Sequence, residues 1–148
     1  MVQNPILEIA FCVFFRPNVG MKELHSIMHV EDDPDIRQIA RMSLELVGGF
    51  EVAQFESGPA VLEQAASLRP DMVLLDVMMS GMDGEETYAR LRQIDGYATV
   101  PIVFLTAKAS RVDFDRLRVL GAADVILKPF DPMTLPEQIR EIWARVAG

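Results

Sequence analysis

The strongest constraint in this chain is a run of four apolar residues, Met72-Val73-Leu74-Leu75, that stops at Asp76. A strand with no polar residue on either side must be covered on both faces, as in a parallel sheet between helices. Similar short runs recur at Ile27–Val30, ending in Glu31-Asp32-Asp33; at Pro101–Leu105, ending at Thr106; and at Val125–Leu127, ending at Lys128-Pro129. Phe50 to Phe55 alternates instead, as a half-covered strand does.

Each run is followed by a helical pattern with its own start signal. Asp33-Pro34 predicts a cap and a first helical residue, with Ile36, Ile39, Ala40, Leu44 and Val47 on one face and Gly48-Gly49 as the stop. Ser57 predicts the cap of a second helix with Val61, Leu62, Ala65 and Leu68 inward. The loop Met79–Gly84 leads to a third helix carrying Tyr88, Leu91 and Ile94. Ser110 with Asp113, and Thr134 with Glu137, are spaced as capping boxes for a fourth and a fifth helix. Gly121 ends the fourth, and Leu135, Ile139, Ile142, Trp143 and Val146 form one stripe on the fifth. Five strands and five helices in strict alternation imply an α/β fold with a parallel sheet between two helical layers.

In such a sheet, ligands bind beyond the carboxyl ends of the strands. That edge collects Glu31, Asp32 and Asp33 from the first strand, Asp76 from the third, Thr106 from the fourth and Lys128 from the fifth. Clustered carboxylates repel unless a cation intervenes, and oxygen ligands suit Mg²⁺, with Mn²⁺ as an alternative. Lys128 adds a point charge for a phosphoryl group, and Thr106 a short hydroxyl. Carboxylate, metal, cation and hydroxyl together suit phosphoryl transfer, with one carboxylate as nucleophile forming an acyl phosphate.

Charge and composition narrow the class. The 148 residues hold 22 acids and 14 bases, a net −8. The excess lies in residues 24–97, with 14 acids and 5 bases, whereas residues 98–148 hold 6 and 7. An acidic balance argues against a direct nucleic-acid or anionic-membrane partner. A single cysteine, Cys12, excludes a disulfide framework, and no apolar run reaches the ~18 residues of a membrane span. The expected location is cytoplasmic.

These stretches resemble the receiver domain of two-component response regulators. The resemblance rests on Val30–Arg37, Pro70-Asp71, Asp76–Met79, Gly81–Gly84, Leu105-Thr106-Ala107, Gly121-Ala122 and Lys128-Pro129-Phe130, and covers about 123 of 148 residues, roughly Leu24 to Val146. It implies a doubly wound, flavodoxin-like (βα)5 three-layer sandwich with strand order 2-1-3-4-5. Residues 24–147 would form the receiver and residues 1–23 a leader of uncertain structure, with Ile6–Phe15 as its apolar segment.

The resemblance also implies roles. Asp76 would accept a phosphoryl group from a histidine kinase or a histidine phosphotransfer protein. Asp32, Asp76 and the backbone carbonyl of Met78 would ligate Mg²⁺, with Glu31 acting through water. Thr106, Lys128 and the backbone of Ala107 would bind the phosphoryl group, Thr106 and Val125 would be the switch positions, and Lys128-Pro129 would be cis. Such a protein is no ordinary turnover enzyme; it assists only its own phosphorylation and dephosphorylation. Two positions depart from the family pattern. Ser80 stands where a proline is usual, four residues after the acceptor, and Val125 stands where an aromatic is usual.

With no room for an effector after the last helix, the expectation is a stand-alone receiver acting on a partner in trans, with an excised piece of a longer regulator as the alternative. Its docking surface would be the face of the fourth helix, fifth strand and fifth helix, where Lys108, Arg111, Arg116 and Arg118 cluster. Two other classes fit less well. An aspartyl-phosphate phosphohydrolase would carry a second aspartate where Met78 stands, and a flavin mononucleotide module would need a phosphate-cradling loop where Glu31-Asp32-Asp33 stands.

Overall fold

The computed structural model describes residues 22–147. In chain order they form β1 (Ser26–Val30), α1 (Pro34–Met42), β2 (Glu51–Phe55), α2 (Gly58–Ala65), β3 (Met72–Asp76), α3 (Gly84–Leu91), β4 (Ile102–Thr106), α4 (Arg111–Leu120), β5 (Asp124–Leu127) and α5 (Leu135–Ala147). The strands pair in parallel in the order β2-β1-β3-β4-β5, as expected. The leader's apolar segment, Ile6–Phe15, lies outside the described residues.

Alternate residues of each strand feed two separate cores. On one face Met28, Val30, Val73, Leu75, Ile102, Phe104 and Val125 meet α2, α3 and α4 through Val61, Ala65, Tyr88, Leu91 and Leu117. On the other, Ile27, Met72, Leu74, Val103, Leu105 and Ile126 meet Leu44 and the α5 residues Leu135, Ile139 and Ile142. Every residue of β3 and β4 is buried, which is why those runs contain no alternation.

The caps explain where the helices begin. The Asp33 carboxylate accepts from the Asp35 and Ile36 N–H groups, Ser57 Oγ from Ala60, and Ser110 Oγ from Val112 and Asp113. The expected Thr134 cap is absent. Its hydroxyl turns back to the Asp131 carbonyl, and Asp131 organises the turn by accepting from Met133 N–H.

The first helix stops at Gly48 as expected, but its last turn departs from α geometry. After Met42 the backbone widens into a π-helical turn over Ser43–Val47. The Ser43 hydroxyl donates to the Pro132 carbonyl, and Gly48 closes so tightly on the Leu44 carbonyl and the Phe50 ring that a Cβ there would sit 2.7 Å from the former. A π turn spaces residues more widely than 3.6 per turn and so breaks the face read from periodicity. Leu44 is buried, while Ile39 and Val47 are each 45% exposed. On α5, Leu135, Ile139 and Ile142 are buried, whereas Val146, assigned to the same stripe, is exposed.

Candidate functional site

The sheet brings the expected residues to one edge. β1 and β3 are neighbours, so the residues that end them, Glu31 with Asp32 and Asp76, meet there. Oxygens of Glu31, Asp32 and Asp76 all lie within 4.8 Å of one another. Glu31 and Asp76 are each 1% exposed, and Asp32 is half-buried toward solvent.

Lys128, just beyond β5, reaches across the edge of β4. Its ammonium lies 3.0 Å from Asp76 Oδ1 and 3.1 Å from Glu31 Oε1. The Lys128-Pro129 peptide is cis, as expected. Burial disfavours the lysine charge, but hydrogen bonds and charge from Asp76 and Glu31 outweigh it, and the ammonium is held above its ordinary pKa. Burial and the charge of Asp76 also raise the Glu31 carboxyl, from 4.5 to about 7, despite its bonds to Asp33 N–H and Lys128.

One oxygen, Asp76 Oδ2, is buried with no hydrogen-bond partner among the described residues. A buried carboxylate oxygen left bare is costly, and the cheapest remedy is a cation or a donor brought by a ligand. Three close carboxylates against one lysine make the same demand. The donor set therefore fits a hard divalent ion.

Around Asp76, two loops are tied to the site. Ser80 N–H donates to Asp32 Oδ2 at 3.1 Å, anchoring the loop after β3. Lys108 N–H donates to Thr106 Oγ1 at 3.1 Å, anchoring the loop after β4. Thr106 is buried, whereas Ala107 beside it is exposed. A cavity of about 490 Å³ opens between these loops, lined in part by Asp32, Met78, Ser80, Asp83, Thr106 and Lys108. Close packing lies directly below Asp76: a Cβ on Gly84 would fall 2.2 Å from the Asp76 carbonyl.

Two residues named from the sequence lie outside this cluster. Asp33 caps α1, as its place before Pro34 predicted, and turns its carboxylate to the helix. Val125 sits inside the core with Tyr88, Phe104 and Leu117. Val125 is paired in register with Phe104 of β4, whose ring lies 5.6 Å from that of Tyr88, so the aromatic bulk beside Val125 comes from β4 and α3.

The basic cluster on α4 is also redistributed. Arg116 pairs with Glu85 and Asp113, and Arg118 with Asp124, which Arg145 of α5 also holds. Of the four bases, only Lys108 and Arg111 take no ion pair among the described residues.

The response regulator receiver domain family matches residues 27–140. The chain belongs to that family. The transcriptional regulatory protein CseB of Streptomyces avermitilis is 38% identical to this receiver over 125 residues, 84% of this chain and 52% of that protein. The DNA-binding response regulator MtrA of Mycolicibacterium smegmatis is 40% identical over 115 residues, 77% of this chain and 48% of that one. The chain thus spans about half the length of the curated relatives it matches.

Solved receivers have the same fold. The chemotaxis protein CheY4 of Vibrio cholerae superposes with a TM-score of 0.75 at 29% identity, covering 81% of this chain and 99% of that one. A response regulator described as putative, from Chloroflexus aurantiacus, gives 0.74 at 32% identity, covering 83% and 100%. The chain is thus a receiver of a two-component system with the flavodoxin-like CheY fold. No helix among the described residues is long and apolar enough to cross a membrane. Two of the relatives named above are titled transcriptional or DNA-binding regulators, so the acidic composition of the receiver excludes neither DNA nor an attached effector at the level of a whole protein.

Sequence reading missed two features of the site. The Ser80 contact uses a backbone donor, which side-chain chemistry does not announce. The Arg116–Glu85 pair joins residues 31 apart in the chain, on different helices.

Proposed function

We propose that this receiver takes a phosphoryl group onto Asp76 from a phosphohistidine, on a histidine kinase or a histidine phosphotransfer protein, and that the modification changes what its surface binds. The observation that carries the reading is the buried, partner-free Oδ2 of Asp76, set against Lys128 and facing Glu31 and Asp32.

The chemistry follows from these groups. A carboxylate oxygen of Asp76 attacks phosphorus as the P–N bond to the donor imidazole breaks and the imidazole keeps the electron pair. The product is an acyl phosphate on Asp76. Lys128 lies within hydrogen-bond reach of Asp76 and balances charge gathering on the phosphoryl oxygens. Thr106 Oγ1 exchanges its contact with Lys108 N–H for a phosphoryl oxygen, releasing the loop after β4. Ala107, small and exposed, contributes its N–H. Asp32, Asp76 and the Met78 carbonyl would hold Mg²⁺, or Mn²⁺ in its place, with Glu31 acting through water. When bound, the ion neutralises the carboxylate cluster and orients the phosphoryl oxygens.

Output is assigned to the face formed by α4, β5 and α5. Val112, Val119 and Leu127 are exposed there, beside Lys108 and Arg111. On this reading residues 24–147 act as one cytoplasmic signalling unit, and the partner is a protein effector.

Intact-mass measurement after incubation with acetyl phosphate and Mg²⁺ tests the reading. A single base-labile +80 Da adduct is expected, absent without Mg²⁺ and lost in Asp76→Asn. A wild-type chain that stays unmodified with every donor overturns it.

A further inference from the structure

Ser80 occupies the loop position at which the chain departs from the usual receiver proline, and its backbone does something a proline cannot. Its N–H donates to Asp32 Oδ2 at 3.1 Å. Proline has no N–H. We infer that the Ser80 N–H is a positioning group for the cation site, holding the Asp32 carboxylate in the orientation that brings it within 4.8 Å of the Glu31 and Asp76 oxygens. This rests on the proposed Mg²⁺ reading of the site.

The geometry makes the contact consequential. Asp32 is the least buried of the three clustered carboxylates, and no other hydrogen bond holds its side chain among the described residues. A carboxylate has two oxygens, and fixing one defines where the other points. Glu31 and Asp76 are each already held by Lys128. Asp32 is therefore the member whose orientation depends on a contact from outside the cluster, and Ser80 supplies it across 48 residues of sequence. Groups that orient metal ligands in this way affect metal affinity by about 10–100-fold. An exposed single bond belongs at the lower end of that range.

The serine hydroxyl plays no part in this contact; the donor is the main chain. That separates two substitutions cleanly. Ser80→Ala keeps the N–H and removes the hydroxyl. Ser80→Pro removes the N–H.

The test is Mg²⁺ titration of the full chain, followed by ¹⁵N–¹H chemical shifts, on wild type and both variants, with thermal melting to show that each is folded. Ser80→Pro is expected to weaken Mg²⁺ binding by about tenfold, and Ser80→Ala to bind within about twofold of wild type. If Ser80→Pro binds as tightly as wild type or more tightly, or if Ser80→Ala loses as much, the inference is wrong. A wild type that binds no Mg²⁺ overturns the reading of the site as well. Amide hydrogen exchange on unmodified protein is the second measurement and requires no variant. Ser80 is exposed, so burial gives its amide no protection. Slower exchange at Ser80 than at exposed Gly81 supports the bond, and equal rates overturn it.

Discussion

Lys128 Nζ lies 3.0 Å from Asp76 Oδ1, and the same ammonium is 3.1 Å from Glu31 Oε1. One cation thus answers two buried carboxylates that start 45 residues apart and meet only because β1 and β3 are neighbours. Replacing it exposes the arrangement's cost. In Lys128→Met, two buried acids face each other unpaired, and the loss is expected to be about 3–5 kcal/mol in the absence of a divalent ion. Millimolar Mg²⁺ should restore a substantial part. Urea denaturation with and without Mg²⁺ measures both, and a variant as stable as wild type under both conditions would refute the pairing.

Glu31 makes the site sensitive to pH. Burial and the nearby Asp76 charge raise its carboxyl to about 7, so the folded protein holds a proton there that the unfolded chain holds only below 4.5. In metal-free protein this group adds stability that is complete below 4.5 and is lost as pH rises through 7. A divalent cation needs the ionised form, so its binding displaces that proton. Mg²⁺ affinity should therefore rise between pH 6 and pH 8, by at most about tenfold for one proton with that midpoint. Glu31→Gln should bind more weakly and show a flatter profile. A wild-type affinity independent of pH across this range contradicts the account.

The alternation of apolar runs with helical periodicity was enough to foresee a parallel sheet between helices and the residues at its carboxyl edge, because strand ends are marked by abrupt changes from Leu75 to Asp76 or Leu105 to Thr106; the strand order came from the family resemblance. What stayed hidden depends on contacts between distant segments. The π turn at Ser43–Val47 keeps the composition of a helix, and only the Pro132 carbonyl and the Phe50 ring reveal why the turn widens. The α4 bases looked like a free cationic patch because Glu85 and Asp124, which take up Arg116 and Arg118, belong to other elements. At the start of α5 the Thr134 hydroxyl meets the Asp131 carbonyl and the Asp131 carboxylate accepts from Met133 N–H, contacts that the spacing of Thr134 and Glu137 does not announce. The Ser80 contact with Asp32 is a main-chain donor that any residue except proline would provide, so no residue type advertises it.

His29 gives the fold an acid limit. It is fully buried in β1, with Nδ1 3.0 Å from Gln54 Nε2 and Nε2 without a partner among the described residues. Burial first, then the charges of Lys128, Arg37 and Arg41, lower its pKa from 6.5 to about 3. The unfolded chain binds this proton more readily, so the stability His29 contributes is present above 6.5 and is lost as pH falls toward 3. At about 1.4 kcal/mol per unit, roughly 2 kcal/mol is gone by pH 5. Glu31 slopes the opposite way over part of this range, so the informative quantity is a difference. His29→Leu compared with wild type, by urea denaturation at pH 7 and pH 5, should gain about 2 kcal/mol relative to wild type on acidification. Parallel losses in the two proteins would show that His29 is not held neutral.

Gly84 packs directly against the backbone of Asp76. It opens α3 directly after the Asp83 cap, and its N–H donates to the Val77 carbonyl at 2.9 Å. A Cβ built there meets backbone on every near side: the Asp76 carbonyl oxygen at 2.2 Å, Val77 Cα at 2.8 Å and the Asp76 carbonyl carbon at 3.0 Å. Main-chain atoms cannot swing away as a flexible side chain does, so Gly84→Ala must push the start of α3 from the end of β3. Overpacking of this kind costs about 1–3 kcal/mol. The displaced backbone is that of Asp76 itself, so the rate of phosphorylation by acetyl phosphate should fall together with stability. Gly81→Ala is the control for general loop damage. Its φ of +75° disfavours a side chain, but nothing lies within 4 Å of its Cβ. It should destabilise while leaving the phosphorylation rate close to wild type under conditions where both proteins are folded. If Gly84→Ala phosphorylates as fast as Gly81→Ala, the contact with the acceptor strand does not set the position of Asp76.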